Sequence, residues 1–493
     1  MIVFVVIAPL TFAILMLLLS NRPQIQRWIS LLASATILTI AVLIFRLTLT
    51  NGIQTIQAGN WRAPFGITLV VDTFSAVMLV ISGALALILA AYSIGQIDPQ
   101  RTKAGFYPLF FFLLTGVNGA FCAGDLFNLY VWFEVMLMAS FVLIALGGER
   151  TQIEGAVKYL IPNLLASTLF LCAIGLLYNM VGTLNMAEMA LRLNHVQPYG
   201  QVTVVAVLLL IAFGIKSALF PLFFWLPASY HTPPVTITAL FSGLLTKVGV
   251  YALYRVFTLL FTQDAVYTHT LILILAGFTM VTGVFGATAQ TDMRRLLSFH
   301  IISQIGYLLM GLGLFRQQAL AAGMYFMVHV ILAKTALFMV SGIIFELKGS
   351  YNLKKLGGLY AAKPSLSLMF LLPALSLAGL PPLSGFFAKL VLIIAGFELQ
   401  QYLIVAVGLF VSFFTLYSMT KIWNEAFWKS TSEDAHTTVA RVNAWLWVPT
   451  LALVALSTAA GVLAAPLYGV CQMAAMQISN PSTYITAVLG AMP

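Results

Sequence analysis

Apolar runs of about twenty residues, each closed by a short polar break, recur from Met1 almost to the end of the chain. Twenty apolar residues in an α-helix span a hydrocarbon core of about 30 Å. Reading runs against breaks places helices at 2–20, 28–50, 70–95, 106–122, 126–146, 156–181, 202–225, 233–262, 270–290, 294–314, 319–345, 366–396, 401–424 and 444–467. The pattern predicts an all-α membrane protein with about fourteen transmembrane helices. Connections are short except near 51–66, 183–200, 346–365 and 425–442, so residues 1–493 read as a single polytopic domain. The first run begins at Met1 with no charged segment or small-residue cleavage site, and reads as a retained anchor rather than a signal peptide. The residues after about 468 are weakly polar and are expected along the surface.

Composition sharpens this picture. Hydrophobic residues make up 61% of the 493 and charged residues 8%, with mean hydropathy +1.00, whereas soluble chains carry about 25% charge. The net charge of +10 does not imply nucleic acid, because the basic residues sit in short loops, where they encode topology. Arg22, Arg27, Arg101, Lys103, Arg150, Lys158, Arg294, Arg295, Lys348, Lys354, Lys355, Lys363, Lys421, Lys429 and Arg441 fall on one side, 15 in all. Arg46, Arg62, Arg192, Arg255 and Arg316 make only 5 on the other. That imbalance predicts the first side to be cytoplasmic and both termini to face outward. Cys122, Cys172 and Cys471 are isolated in apolar surroundings and read as packing residues, so neither a metal nor a cofactor is expected. With few cysteines and no soluble domain, nothing in the chain suggests binding of NADH, flavin or an iron–sulfur cluster.

Ionisable residues inside the expected spans carry the functional signal. They are Glu134, Lys216, Lys247, Lys334 and Lys389, with His329. A charge at mid-membrane costs about 2.5–3.5 kcal/mol on insertion scales, so retaining several points to a use for them. One acid cannot statically neutralise three or more amines. Some must then be neutral or bridged by water; structural pairing or snorkelling is the bland alternative, and proton transfer is the chemistry that would use them. Lys334 lies nearer one end of its helix, where a lysine stem can reach the interface, and is the weaker candidate.

Two spans also carry breakers beside their lysine. After Lys216, Pro221 and Pro227 free the carbonyls of Ser217 and Phe223; before Lys389, Pro381 and Pro382 free those of Leu377 and Ala378. Irregular backbone at this depth needs protein or a water-filled cavity around it. Two interrupted helices in corresponding halves point to inverted repeats with ion sites at the breaks.

The motif Lys216-Ser-Ala-Leu-Phe-Pro-Leu-Phe-Phe-Trp-Leu-Pro227, followed by Thr246-Lys247-Val-Gly-Val-Tyr251, resembles the antiporter-like subunits of respiratory complex I, membrane hydrogenases and Mrp cation/proton antiporters. So do Gln290 to Ser298 with Gly306-Tyr307, and the broken stretch from Ser376 to Lys389. Within that family, Pro227-Ala-Ser-Tyr-His231-Thr-Pro-Pro234 and Lys421 to Trp428 look most like the Mrp D subunit. The resemblance implies inverted five-helix units over helices four to eight (about 106–262) and nine to thirteen (about 270–424), with helices 1–3 and 14 peripheral. It also implies Glu134 as a charge-pair carboxylate, Lys216 as its partner, Lys247 as the central relay and Lys389 as the terminal proton site. Lys389 stands where the complex I relative has a glutamate. His300 and Gln304 stand where many relatives have a serine and a histidine. His231 reads as a polar turn residue or the lining of an aqueous mouth.

The expected function is therefore proton movement along Glu134, Lys216, Lys247, His329 and Lys389 in a bacterial cell-membrane Na+/H+ antiporter. Its implied partners are the A, B, C, E, F and G subunits of an Mrp complex. The alternatives are a proton-pumping complex I or hydrogenase subunit, and a non-conducting scaffold.

Overall fold

A computed structural model of the chain describes residues 1–430 and 442–490; Arg441 and the middle of the 425–442 connection lie outside the described residues. The principal helices are α1 Phe4–Leu18, α2 Pro23–Asn51, α3 Thr73–Gln96, α4 Phe106–Cys122, α5 Leu126–Ala145, α6 Arg150–Val181, α7 Tyr199–Ser217, α8 Val235–Leu259, α9 Ala265–Thr288, α10 Met293–Gly313, α11 Gln317–Lys348, α12 Pro364–Ala378, α13 Ser384–Glu398, α14 Tyr402–Trp428, α15 Ala444–Val462, α16 Ala464–Ser479 and α17 Pro481–Leu489. Among the described residues, 11 helices are long and apolar enough to cross a membrane. Three shorter apolar ones, α1, α4 and α12, stand where further spans were expected.

The polar breaks start helices as well as ending them. The Asp72, Asp125 and Asp292 side chains accept from the backbone N–H groups of Ser75 (2.8 Å), Asn128 (2.9 Å) and Arg295 (2.9 Å), satisfying donors that helix starts leave free. The surroundings of the last two match. Leu126 N–H donates to Leu184 O and Met186 N–H to Gly124 O; in the same way Met293 donates to Tyr351 O and Leu353 to Thr291 O. The helices that follow, α6 and α11, have 32 residues each.

Burial separates an inner set of helices from an outer one. The most apolar windows of α8, α11 and α10 are 100%, 94% and 89% buried, against 33% for α2 and 39% for α6 and α9. Buried tyrosines knit the inner set by donating to carbonyls of neighbouring helices: Tyr92 to Met339 (3.0 Å), Tyr254 to Leu308 (2.7 Å) and Tyr325 to Ala460 (2.9 Å). Each such bond spares a hydroxyl from an apolar interior.

Three features depart from the sequence reading. The 51–66 connection forms part of a small antiparallel hairpin, β1 Gln54–Gln57 with β2 Thr68–Val71, so α3 starts at Thr73 rather than 70. The C-terminal stretch does not lie loosely on the surface: Cys471, Ala474, Ala475 and Ile478 of α16 are buried, and α16 packs along α11. Small residues on one face of α16 allow that close approach. Finally, Arg255 is not a loop residue. It lies inside α8, 5% exposed, with Nη2 2.6 Å from Asp72, itself 1% exposed. The pair is completed by the Tyr251 hydroxyl at 3.0 Å and by the Tyr484 ring of α17, 5.2 Å away. Arg255 therefore ties α3, α8 and the C-terminal helices together, and it drops out of the loop-charge count.

The turn before α8 is held from the start of α10. His231 Nδ1 donates to Pro227 O at 2.9 Å, and Arg294 donates to Pro233 O at 2.9 Å while lying 3.9 Å over the Tyr351 ring. Burial first, then the Arg295 and Arg294 charges, hold the His231 pKa below its usual value. His231 is thus a polar turn residue whose charged form the fold disfavours.

Two outcomes follow. Arg255→Ala leaves the Asp72 carboxylate buried and unpaired and is expected to destabilise the protein by about 3–5 kcal/mol, with the Asp72→Asn/Arg255→Met double variant recovering much of the loss; thermal unfolding in detergent measures both. For His231, the unfolded side chain takes up a proton near pH 6.5 while the folded one does not. Stability is therefore full above about pH 6.5 and falls as the pH drops through the depressed folded value. His231→Asn should flatten that part of the stability–pH curve, and an unchanged slope would contradict the assignment.

Candidate functional site

All four intramembrane lysines are buried: Lys216 is 6% exposed, Lys247 and Lys334 0%, and Lys389 4%. None has a carboxylate oxygen within 4.0 Å among the described residues. Each ammonium position is met by neutral oxygens supplied by breaks, bulges or neighbouring helices.

Lys216 sits at the end of α7, where the helix stops as Ala218 takes a left-handed conformation at φ 60°. The chain resumes as a short helix at Trp225–Ser229, so the expected interruption falls just past the lysine. Trp225 Nε1 donates at 3.0 Å to the Ile215 carbonyl, which also accepts from the Ala218 N–H. Lys216 Nζ donates to Ser167 Oγ of α6 at 3.0 Å and stands 5.1 Å from the centre of the Phe133 ring. Beside it is a cavity of about 10 Å³ lined by Tyr159, Asn163, Trp225 and Leu245, close to the room that one water requires.

Lys247 is one helix away, reached through a tight contact. A Cβ on Gly249 would stand 2.4 Å from Ser217 Oγ, so glycine lets the α7 break press against α8 beside Lys247. Residues Phe241–Leu245 of α8 form a π-helical turn, which loosens the regular backbone pairing. The Ser242 carbonyl turns to accept from Lys247 Nζ. The same bulged turn packs on α11, where Lys334 Nζ donates to the Leu297 carbonyl of α10 at 2.9 Å. Lys334 therefore points inward to α10 and does not reach for an interface.

Lys389 lies across the second break. Its Nζ donates to Leu377 O at 2.9 Å and Ala378 O at 3.2 Å, the two carbonyls that the paired prolines were expected to free. Gly379 makes this possible: φ is 93°, and a Cβ there would approach Lys389 Cδ to 3.1 Å. The Tyr307 ring of α10 closes the other side, 4.9 Å from Nζ. His329 braces the same break, with Nδ1 2.8 Å from Ser384 Oγ and 3.3 Å from Ser376 Oγ. The expected path has it between Lys247 and Lys389; it stands at the break that holds Lys389.

Glu134 and Lys216 are not brought into contact. Phe133 is the α5 residue turned to Lys216; the next position, about 100° round the helix, faces elsewhere. Glu134 borders a groove of about 430 Å³ formed with Leu109, Phe112, Val135, Met138, Ala139 and Val142, and its Oε1 is buried without a partner. Sequence reasoning missed Ser167, the lysine's actual partner, and Tyr307; neither carries a charge that would single it out in an apolar span.

Further buried polar atoms without a protein partner lie among these amines: Ser217 Oγ, Ser242 Oγ, Thr246 Oγ1, both His300 ring nitrogens, Gln304 Oε1 and His329 Nε2. Unsatisfied buried polar groups call for water. The described residues thus hold four buried amines on neutral oxygens, with unpartnered polar atoms among them.

Comparison with known proteins gives the family. Residues 123–415 match the family described as NADH:quinone oxidoreductase/Mrp antiporter, TM. The chain is 45% identical over 492 residues to the D subunit of the Na(+)/H(+) antiporter of Alkalihalophilus pseudofirmus, covering 99% of each chain. It is 39% identical to the corresponding D subunit of Bacillus subtilis, with 98% of each covered. Among solved structures, the Mrp complex from Dietzia sp. contains a chain that superposes with a TM-score of 0.92 at 33% identity, over 99% of both chains. The chain therefore belongs to the membrane-subunit family shared by NADH:quinone oxidoreductases and Mrp antiporters, on the branch formed by the D subunits of Na+/H+ antiporters.

Proposed function

We propose that this chain is the proton-translocating subunit of a multi-subunit Na+/H+ antiporter, assembled with A, B, C, E, F and G subunits in a bacterial cell membrane. Both termini face outward, as the loop charges suggest, and cytoplasmic Na+ leaves in exchange for external H+. The observation that carries the reading is the set of four buried amines held only by neutral oxygens. A permanent ammonium in such surroundings is expensive, whereas an amine that alternates between charged and neutral is what a proton path requires.

The proposed path runs from Lys216 to Lys247, on to Lys334 and then to Lys389, with His329 holding the second break. Glu134 acts as the switch. It makes no ion pair with Lys216 among the described residues, so movement of Glu134 toward or away from the lysine would alter the drive for proton release. Two inverted five-helix units, about 106–262 and 270–424, would place one break in each. The recurrence of the Leu126/Leu184 hydrogen-bond pattern at Met293/Tyr351 supports that division. A redox-driven complex uses related machinery, but the full-length similarity is stronger to antiporter D subunits, at 45% and 39%, than to a Thermus thermophilus complex I chain, at 22%.

In vesicles carrying the assembled complex, Glu134→Ala, Lys216→Ala and Lys389→Ala should each lower sodium-driven proton exchange by about a hundredfold or more. Co-purification of the other subunits checks assembly. Wild-type exchange from Lys216→Ala or Lys389→Ala would refute the proposal, and loss of assembly without loss of transport would favour a scaffold.

A further inference from the structure

The path has one long gap. Lys334 is anchored at the Leu297 carbonyl and Lys389 beside the Tyr307 ring, and both anchors belong to α10. Ten residues of helix separate them, about 15 Å along the axis, too far for a direct proton transfer.

His300 and Gln304 fall between those anchors. Leu297, His300, Gln304 and Tyr307 follow the three-four-three spacing that puts residues on one face of a helix, and all four are buried. His300 is 0% exposed, and among the described residues neither of its ring nitrogens nor Gln304 Oε1 has a hydrogen-bond partner. A buried imidazole ordinarily satisfies at least one nitrogen. Lys334 is held at one end of this stripe, by Leu297, and Lys389 at the other, beside Tyr307. The position has a counterpart in the first half of the chain. His300 stands eight residues beyond the capping Asp292, whereas Glu134 stands nine beyond the capping Asp125, so the two titratable groups sit at similar depth on corresponding helices.

Resting on the proton-path reading, we propose that His300 is the proton carrier between Lys334 and Lys389, working through water at its two free nitrogens. The Lys334 ammonium gives a proton, through one water, to the unprotonated ring nitrogen. The other nitrogen gives its proton, through water beside Gln304, to the neutral Lys389 amine. Lys334 ends neutral, Lys389 ends charged, and the imidazole is again neutral with its proton on the opposite nitrogen. Rotation of the ring or return of the tautomer through water resets it. Gln304 orients the second water without carrying charge.

The test uses the complete complex in vesicles, with Lys389→Ala as the reference for a blocked path. His300→Gln keeps hydrogen-bonding capacity and size but cannot be protonated near neutral pH, and it should lower sodium-driven proton exchange about tenfold or more while assembly is retained. Adding Gln304→His to that variant returns an imidazole to the same face one turn along, and should recover a substantial part of the rate. A purely structural role predicts instead that His300→Gln is tolerated and that the second substitution adds damage. If His300→Gln exchanges at the wild-type rate while Lys389→Ala is inactive, the proton path stands and the His300 step is wrong. If both exchange normally, the proton-path reading itself fails. Should His300→Gln fail to assemble, single Gln304→Leu is decisive: slowed exchange supports the wet link, and a wild-type rate overturns it.

Discussion

An amine buried in a low-dielectric interior without a carboxylate is the constraint on which this architecture rests. Charged, it needs several strong acceptors; neutral, it needs almost none. Lys216, Lys247, Lys334 and Lys389 each receive an intermediate environment, one or two neutral oxygens and in two cases an aromatic face. On the proposed reading, such surroundings are what lets an amine load and unload a proton.

The acceptors come from departures from regular helix. A continuous α-helix spends its carbonyls on itself, so a backbone that is to hold an ammonium must first be interrupted. The chain does this in three ways: a left-handed stop after Lys216, a π-helical turn before Lys247, and a proline-glycine break that hands Lys389 the Leu377 and Ala378 carbonyls. These irregularities are tolerated because α8, α10 and α11 are enclosed by other helices and because tyrosine hydroxyls and the Asp72–Arg255 pair hold the enclosure together.

Much of this was legible in the chain itself. Helix spans follow from apolar run length, and the two breaks follow from Pro221 and from Pro381-Pro382, down to the carbonyls that Lys389 uses. What was not legible depends on rotation and partnership. Nothing in the residues around Glu134 tells which side of α5 faces Lys216, and it is Phe133 that does. Lys334 reads as able to reach an interface because distance along the helix says nothing of how deeply α11 is enclosed. Asp72 falls at the start of the expected 70–95 span, where nothing in the sequence marks it as a helix cap and ion-pair partner, and Arg255 is recognisable as buried only with α3 and α17 in place. His300 stands out as a departure from the family pattern, but its two unpartnered nitrogens belong to the fold alone.

The most direct test of proton transfer through buried amines is a density map of the assembled complex fine enough to show ordered water. Water should connect the neighbourhood of Lys216 past Ser242 and Thr246, and then His300 and Gln304, to Lys389. Dry, close-packed protein between these groups in every captured state would contradict it.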